Sequence, residues 1–244
     1  MTEASQFIGR SAVVTGGSRG IGLATAIALR SAGADVLICG RSADALESAA
    51  AHIASVPAPA GRLVTQTADV RDPEQAERLI RAAVEQLGGV DILVNNAGVG
   101  RFSPLADLAV DDWRETIETN LSGVFHCCRA AIPAMKQRGG GWIINVSSLA
   151  GKHPFAGGTA YCASKAGLNA LTESLMQEVR RDGIRVSCVL PGSVDTTFAG
   201  NEQSADAGWK LAASDVAQTV FDLLCHPPRS LPSRVEIRPA VPGK

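Results

Sequence analysis

A chain of 244 residues with 45% hydrophobic and 19% charged side chains can bury one sizeable core, and one domain of the α/β type over residues 1–244 accommodates it. A formal net charge of −1, with acidic and basic residues interspersed, excludes a polycationic face for nucleic acid and a polybasic patch for a membrane, so small, near-neutral partners fit best. No apolar run reaches about 18 residues and the opening MTEASQFIGR lacks an export signal's basic start and apolar stretch, so the expected location is the cytoplasm.

The first strand candidate, SAVVT at 11–15, leads into TGGSRGIG at 15–22 and a helical pattern near 21–32. Glycines at 16, 20 and 22 depart from the usual G-x-G-x-x-G spacing, but the physics is shared. Glycine lets backbone approach a pyrophosphate, and the helix N-terminus offers unpaired N–H groups and partial positive charge. Gly16, Ser18, Arg19, Gly20, Ile21 and Gly22 are therefore candidate cofactor contacts, with an ordinary strand-to-helix turn as the plain alternative.

The second strand, DVLIC, ends in LICGRS before a helix near 43–55. An acidic side chain at that end would bind ribose hydroxyls and favour NAD. Here the position is Gly40 and Arg41 follows, so Arg41 and Arg19 are expected to pair with a 2′-phosphate, against the alternative of two solvated arginines. NADP(H) is thus expected over NAD(H).

After the short connection PAPAG come LVTQT, the residues Asp69 and Val70, and a helix at 73–87 that starts with an Asp N-cap and proline in DPEQ. DILVNN, a helix over 111–137, WIINVS, a helix over 160–181, RVSCVL, a helix over 214–225 and a final RVEIR complete the alternation. Seven nearly continuous apolar strands between helices describe a parallel sheet covered on both faces. The irregular stretch 191–213 follows the sixth strand, where ligands of such sheets sit, and is read as a substrate-covering loop.

Six cysteines show no C-x-x-C spacing and read as buried thiols in a reducing compartment, and four scattered histidines predict no metal site. The only tyrosine, Tyr161, precedes Lys165 by four positions on a helical face. A lysine about 4 Å away at an effective dielectric of about 20 would favour phenolate by roughly 4 kcal/mol, an upper figure of about 3 pKa units before desolvation opposes it. Such a phenol could exchange a proton with a carbonyl or alcohol oxygen, although an isolated Y-x-x-x-K is also what a packed helix tyrosine looks like.

TGGSRGIG, DILVNNAGV, ETNLSGVF, INVSSLAG, YCASKAG and VLPGSVDT occur in that order, and together they resemble the short-chain dehydrogenase/reductase family over about residues 8–200. The resemblance implies a doubly wound Rossmann fold and hydride transfer between a nicotinamide cofactor and a carbonyl or alcohol. It implies Tyr161 as general acid/base, with Lys165 lowering its pKa and holding the nicotinamide ribose. Ser148, 13 residues before the tyrosine, would bind the substrate oxygen in preference to Ser147. Asn120 would complete a water-linked proton relay. Asp69 and Val70 would meet the adenine, with a turn-bracing role for Asp69 as the alternative. Asn96, Ala97 and Gly98 would line the adenosine side, with sheet support as the alternative for Asn96. Pro191, Gly192, Val194 and Thr196 would close over the nicotinamide.

Within the family the chain resembles the 3-oxoacyl-carrier-protein reductase-like branch, although its ending RVEIRPAVPGK departs from that enzyme's pattern and looks more like reductases of hydroxy acids or small ketones. LAGKHPFAGGTA, at 149–160, reads either as part of a roomy, partly apolar substrate pocket or as a glycine-rich loop. Homo-oligomers, tetramers or dimers, built on the helices at 111–137 and 160–181 are a further implication. The other readings are an NAD-dependent dehydrogenase and a dinucleotide-binding regulator without catalysis, which would be expected to have lost some of Asn120, Ser148, Tyr161 and Lys165.

Overall fold

The computed structural model describes residues 6–59, 61–200 and 208–241. Its seven strands are β1 (Ser11–Thr15), β2 (Asp35–Gly40), β3 (Leu63–Thr67), β4 (Ile92–Asn95), β5 (Gly141–Val146), β6 (Ile184–Pro191) and β7 (Arg234–Ile237). They form one parallel sheet in the order β3-β2-β1-β4-β5-β6-β7. The helices between them are α1 (Gly20–Ser31), α2 (Ala43–Ser55), α3 (Pro73–Leu87), α4 (Val110–Ile117), α5 (Gly123–Gln137), α6 (Thr159–Val179) and α7 (Ala213–Leu224).

Alternation along the strands sorts side chains between two cores. Val13, Leu37, Leu93, Ile143 and Val186 point to one face, where they meet Leu79 of α3, Cys127 of α5 and Leu168 of α6. Their neighbours Val14, Ile38, Val94 and Ile144 point to the other, against Leu29 of α1, Leu46 of α2 and Val220 of α7. Strand positions are mostly apolar because both faces are buried, as a Rossmann sheet covered on both sides requires, and buried exceptions such as Asn95 and Asn145 hydrogen-bond each other.

Local signals set the ends. Asp72 accepts hydrogen bonds from the Glu74 and Gln75 N–H groups at 2.9 and 3.3 Å and Pro73 opens α3, which stops at Gly88 in left-handed backbone with φ 86°. At the edge of the sheet remote from the carboxyl ends, buried Asp91 accepts from Ser11 N–H at 2.9 Å, Arg10 at 2.9 Å and Arg138 at 3.1 Å.

The expected single helix over 111–137 is broken in the structure. A π turn over Glu118–Ser122 separates α4 from α5. Its widened backbone lets Asn120 turn into the protein, where its side chain bonds Val99, and periodicity alone carries no trace of such an insertion. The helix expected to 181 ends at Val179 and passes through a 3₁₀ turn over Arg180–Asp182.

Candidate functional site

The sheet order changes direction between β1 and β4, which opens a crevice at the carboxyl ends of the strands. A cavity of about 440 Å³ lies there. Every residue singled out in the sequence lines it except Gly22 and Asn120, which sit directly behind its wall.

Gly16 and Gly20 adopt left-handed backbone, with φ 63° and 55°. A Cβ at Gly22 would collide with the Gly16 carbonyl oxygen and the Asn96 amide, so only glycine lets α1 start this close to the loop. No side chain caps the first turn of α1, which leaves its N–H groups and the positive end of its dipole facing the cavity. Thr119 Oγ1, on the same wall, is buried with no hydrogen-bond partner in the protein. A glycine cradle, an uncapped helix start and an orphaned hydroxyl together fit a dinucleotide.

Asn96 supports this loop. Its Nδ2 donates to Thr15 O at 3.0 Å and Gly16 O at 3.1 Å, while the Asn96 and Ala97 N–H groups both reach Thr15 Oγ1 at 3.0 Å. Asp69 likewise braces its turn: Arg71 grips the carboxylate at 2.6 Å and holds its pKa below the usual range. Val70 lines the cavity beside it.

At the adenosine end Gly40 closes β2, and the sequence alone leaves Arg41 to a phosphate or to solvent. The structure adds a third partner, because Arg41 Nη1 pairs with Glu115 Oε1 at 3.1 Å. Glu115 also accepts from Arg101 at 2.8 Å, and the Arg101 bond does most to hold its carboxyl below the ordinary range. Nothing in the sequence pairs Arg41 with Glu115, 74 positions later.

At the opposite end β5 and α6 bring the polar groups together. Ser148 starts the 3₁₀ turn Leu149–Gly151, accepts from the Ala150 N–H at 3.1 Å and lies close enough to the Tyr161 phenol to lower its pKa. Ser147 faces away and donates to Asn169 Oδ1 at 2.7 Å. Asn120 is fully buried, accepting from Val99 N–H at 2.8 Å and donating to Ser164 Oγ at 3.0 Å. A Cβ at Gly98 would lie 3.3 Å from Asn120 Oδ1 and 3.9 Å from Lys165 Nζ, so the glycine keeps the space between them open.

Tyr161 and Lys165 do share a face of α6, but not the expected electrostatics. Lys165 Nζ lies 5.8 Å from the centre of the tyrosine ring and donates to the Val146 carbonyl at 2.8 Å. Burial raises the phenol pKa above 10, with Ser148 opposing, and lowers that of the lysine from 10.5 to about 8. Desolvation outweighs the attraction that the spacing predicts, because the ammonium is turned toward a backbone carbonyl.

Past Pro191 the chain is tied down by a bridge between Val194 and Leu211, with Asp195 N–H donating to Leu211 O at 2.8 Å. Thr196 reaches over the start of α1, where a Cβ at Gly20 would meet its Cγ2 at 3.3 Å. Residues 201–207 of the expected lid lie outside the described residues. Phe102 and Phe198, which pack on the Tyr161 ring, were not singled out by any motif. Among the described residues no three of His, Cys, Asp or Glu are grouped to hold a metal, and no helix is long and apolar enough to cross a membrane.

Comparison with known proteins agrees with this geometry. The family described as short chain dehydrogenase matches residues 10–207. An uncharacterized oxidoreductase of Staphylococcus aureus is 33% identical over 228 residues, covering 93% of this chain and 96% of that protein. An alcohol dehydrogenase of the archaeon Thermococcus sibiricus, solved with 5-hydroxy-NADP, superposes with a TM-score of 0.88 at 30% identity, over 96% of this chain and 99% of that one. A metagenomic short-chain oxidoreductase in complex with NADP gives a TM-score of 0.84 at 36% identity, over 98% and 100%.

Proposed function

The chain belongs to the short-chain dehydrogenase family, and on that premise we propose that it is an NADP(H)-dependent oxidoreductase that reversibly reduces a ketone to a secondary alcohol. The observation that carries this reading is the meeting of Tyr161, Ser148 and Lys165 at one end of a cavity whose other end is the glycine loop with Arg19 and Arg41. When bound, the nicotinamide supplies or accepts the hydride.

The chain's own residues manage the proton. Burial keeps Tyr161 protonated at neutral pH, the form that donates to a carbonyl oxygen. Ser148 Oγ accepts from the Ala150 N–H, which leaves its own proton for the same oxygen, and the two donors meet the charge that develops there. Lys165, with a pKa of about 8, is mostly charged at pH 7 and reprotonates the phenolate. Asn120, held by Val99 and Ser164, frames the water-linked route to that ammonium.

Gly16, Ser18, Gly20, Ile21 and Gly22 receive the pyrophosphate, and Asn96, Ala97, Gly98, Asp69 and Val70 the adenosine side. Arg19 and Arg41 take the 2′-phosphate. An exposed ion pair such as Arg41–Glu115 is worth about 0.2–1 kcal/mol, so a dianion can replace Glu115. The NADP-type ligands of two structural neighbours support the same preference. Pro191, Gly192, Val194 and Thr196 close over the nicotinamide, and the 191–213 loop covers the substrate. Assembly as a homotetramer or dimer through the α4–α5 stretch over 111–137 and α6, in the cytoplasm, completes the reading.

The test is NADPH and NADH oxidation across a panel of ketones for wild type and Tyr161→Phe. Loss of turnover by about a thousandfold with NADPH affinity unchanged is expected. Near wild-type turnover in the variant, or a preference for NADH, overturns the proposal.

A further inference from the structure

The chain is poor in aromatic residues, at 4%, with six phenylalanines and one tyrosine. Three of the six phenylalanines nevertheless gather around that tyrosine. Phe102 meets the Tyr161 ring edge-on, with centroids 5.6 Å apart and planes at 75°. Phe198 lies 5.7 Å away on a tilted plane, and Phe155 extends the cluster from Phe102 at 5.8 Å. The three come from separate loops beyond β4, β5 and β6, so only the fold assembles them.

The backbone is cut back to admit the rings. A Cβ at Gly100 would stand 2.6 Å from the Phe198 ring and 3.0 Å from that of Phe102, and one at Gly158 would stand 2.6 Å from Phe155. Phe102 and Phe155 remain 47% and 49% exposed. Apolar rings left half-exposed together beside a proton donor are a ligand surface rather than a core.

The cations flanking this wall already have acidic partners, with Lys152 and Arg238 sharing one. Arg101 pairs with Glu115 at 2.8 Å and Asp112 at 3.3 Å, Lys152 with Glu236 at 2.6 Å, and Arg238 with Glu236 at 2.9 Å. His153 Nε2 lies 3.3 Å from the Arg238 guanidinium. A substrate carboxylate or phosphate would lose its hydration against phenyl rings, which offer it no hydrogen-bond donor in return. An uncharged ring meets faces and edges already set at tilted and T-shaped angles.

We infer that the substrate is an uncharged ketone with a ring attached to its carbonyl, held by Phe102, Phe155 and Phe198 with its oxygen toward Tyr161. The inference rests on the reductase reading and assigns its substrate class. It disfavours the oxo acids and carrier-bound acyl thioesters that the sequence left open.

The experiment compares kcat/KM for acetophenone, acetoacetate and a linear acetoacetyl thioester. It uses wild type, Phe102→Ala, Phe155→Ala and Phe102→Leu, with Val84→Ala as an exposed control on α3. Calorimetry measures acetophenone binding to the NADP⁺-loaded protein in parallel. Acetophenone is expected to lead by about a hundredfold. Phe102→Ala and Phe155→Ala should raise its KM by about tenfold, with acetoacetate unaffected, and Phe102→Leu should fall between. Equal or better turnover of acetoacetate or the thioester overturns the inference while leaving the reductase reading intact. Equal losses on all substrates, or a fall in melting temperature with KM unchanged, also overturn it, because the rings would then be structural only. Absence of Tyr161-dependent turnover on all three removes the reductase reading. Binding then decides the ring site: acetophenone binding that weakens in Phe102→Ala and Phe155→Ala upholds it, and no binding by wild type overturns it.

Discussion

Replacing Lys165 by methionine separates what burial does to this lysine from what the lysine does in catalysis. The side chain is 5% exposed, and a fall in pKa from 10.5 to about 8 corresponds to about 3 kcal/mol against its charged form in the folded protein. Below pH 8 both folded and unfolded chains carry the proton and the full penalty applies. Between pH 8 and about 10.5 the folded protein has released it while the unfolded chain retains it, so this group makes stability rise with pH. Methionine keeps an unbranched apolar stem without the charge. It also leaves the Val146 carbonyl without its 2.8 Å donor, a loss of about 1–3 kcal/mol that is essentially constant with pH. The stability of Lys165→Met relative to wild type is therefore expected to fall by about 2–3 kcal/mol between pH 7 and pH 10. Urea titrations followed by circular dichroism, at matched ionic strength across that range, measure the difference directly. A difference that stays flat to within about 0.5 kcal/mol refutes the reasoning, since the ammonium would then be hydrated in the folded state.

Three other perturbations bear on separate parts of the molecule. Arg41→Ala should raise the Kd for NADPH by about tenfold or more and leave that for NADH within about twofold, since a charged hydrogen bond is worth about 1.5–3 kcal/mol; equal effects on both would remove Arg41 from the 2′-phosphate. Gly22→Ala forces a methyl group onto the Gly16 carbonyl and the Asn96 amide, and overpacking of about 1–3 kcal/mol should appear as a lower melting temperature together with weaker dinucleotide binding. Unchanged binding by calorimetry would mean that α1 need not approach the loop so closely. Asp91→Ala should destabilise the protein by about 3 kcal/mol, because it strands Arg10 and Arg138 and the Ser11 N–H. Burial pushes Asp91 up, but the Ser11 N–H, Arg138 and Arg10 outweigh it and its pKa is lowered, so its contribution is complete above the usual carboxylate range and lost as pH falls through the lower folded value. Denaturant titrations should accordingly show the variant's deficit shrinking below about pH 4, and a deficit independent of pH would exclude the ionised carboxylate as its source.

The chain's local chemistry was enough to specify its strands and most of its helices. Strand positions between two helix layers had to be mostly apolar, and runs such as AVV, VLIC and WII show it without reference to partners. The Asp72-Pro73 start and the glycine loop were equally legible, because caps and left-handed turns act within a few residues. Tyr161 and Lys165 share a face because helical periodicity puts them there.

Other properties depend on groups far apart in sequence. The π turn that inserts Asn120 answers to Val99 and Ser164, so periodicity runs past it unmarked. Arg41 meets Glu115 only because the fold brings the end of β2 within a side chain's reach of α4, and three phenylalanines from three loops meet only above the assembled sheet. The proton balance of the site follows the same rule. Spacing allowed an ammonium next to a phenol and predicted a lowered tyrosine pKa, whereas burial, which is a property of the whole packed molecule, raised it and lowered the lysine instead. Short-range steric and capping effects are written in the chain itself, but desolvation and long-range pairing exist only once the tertiary structure has excluded water.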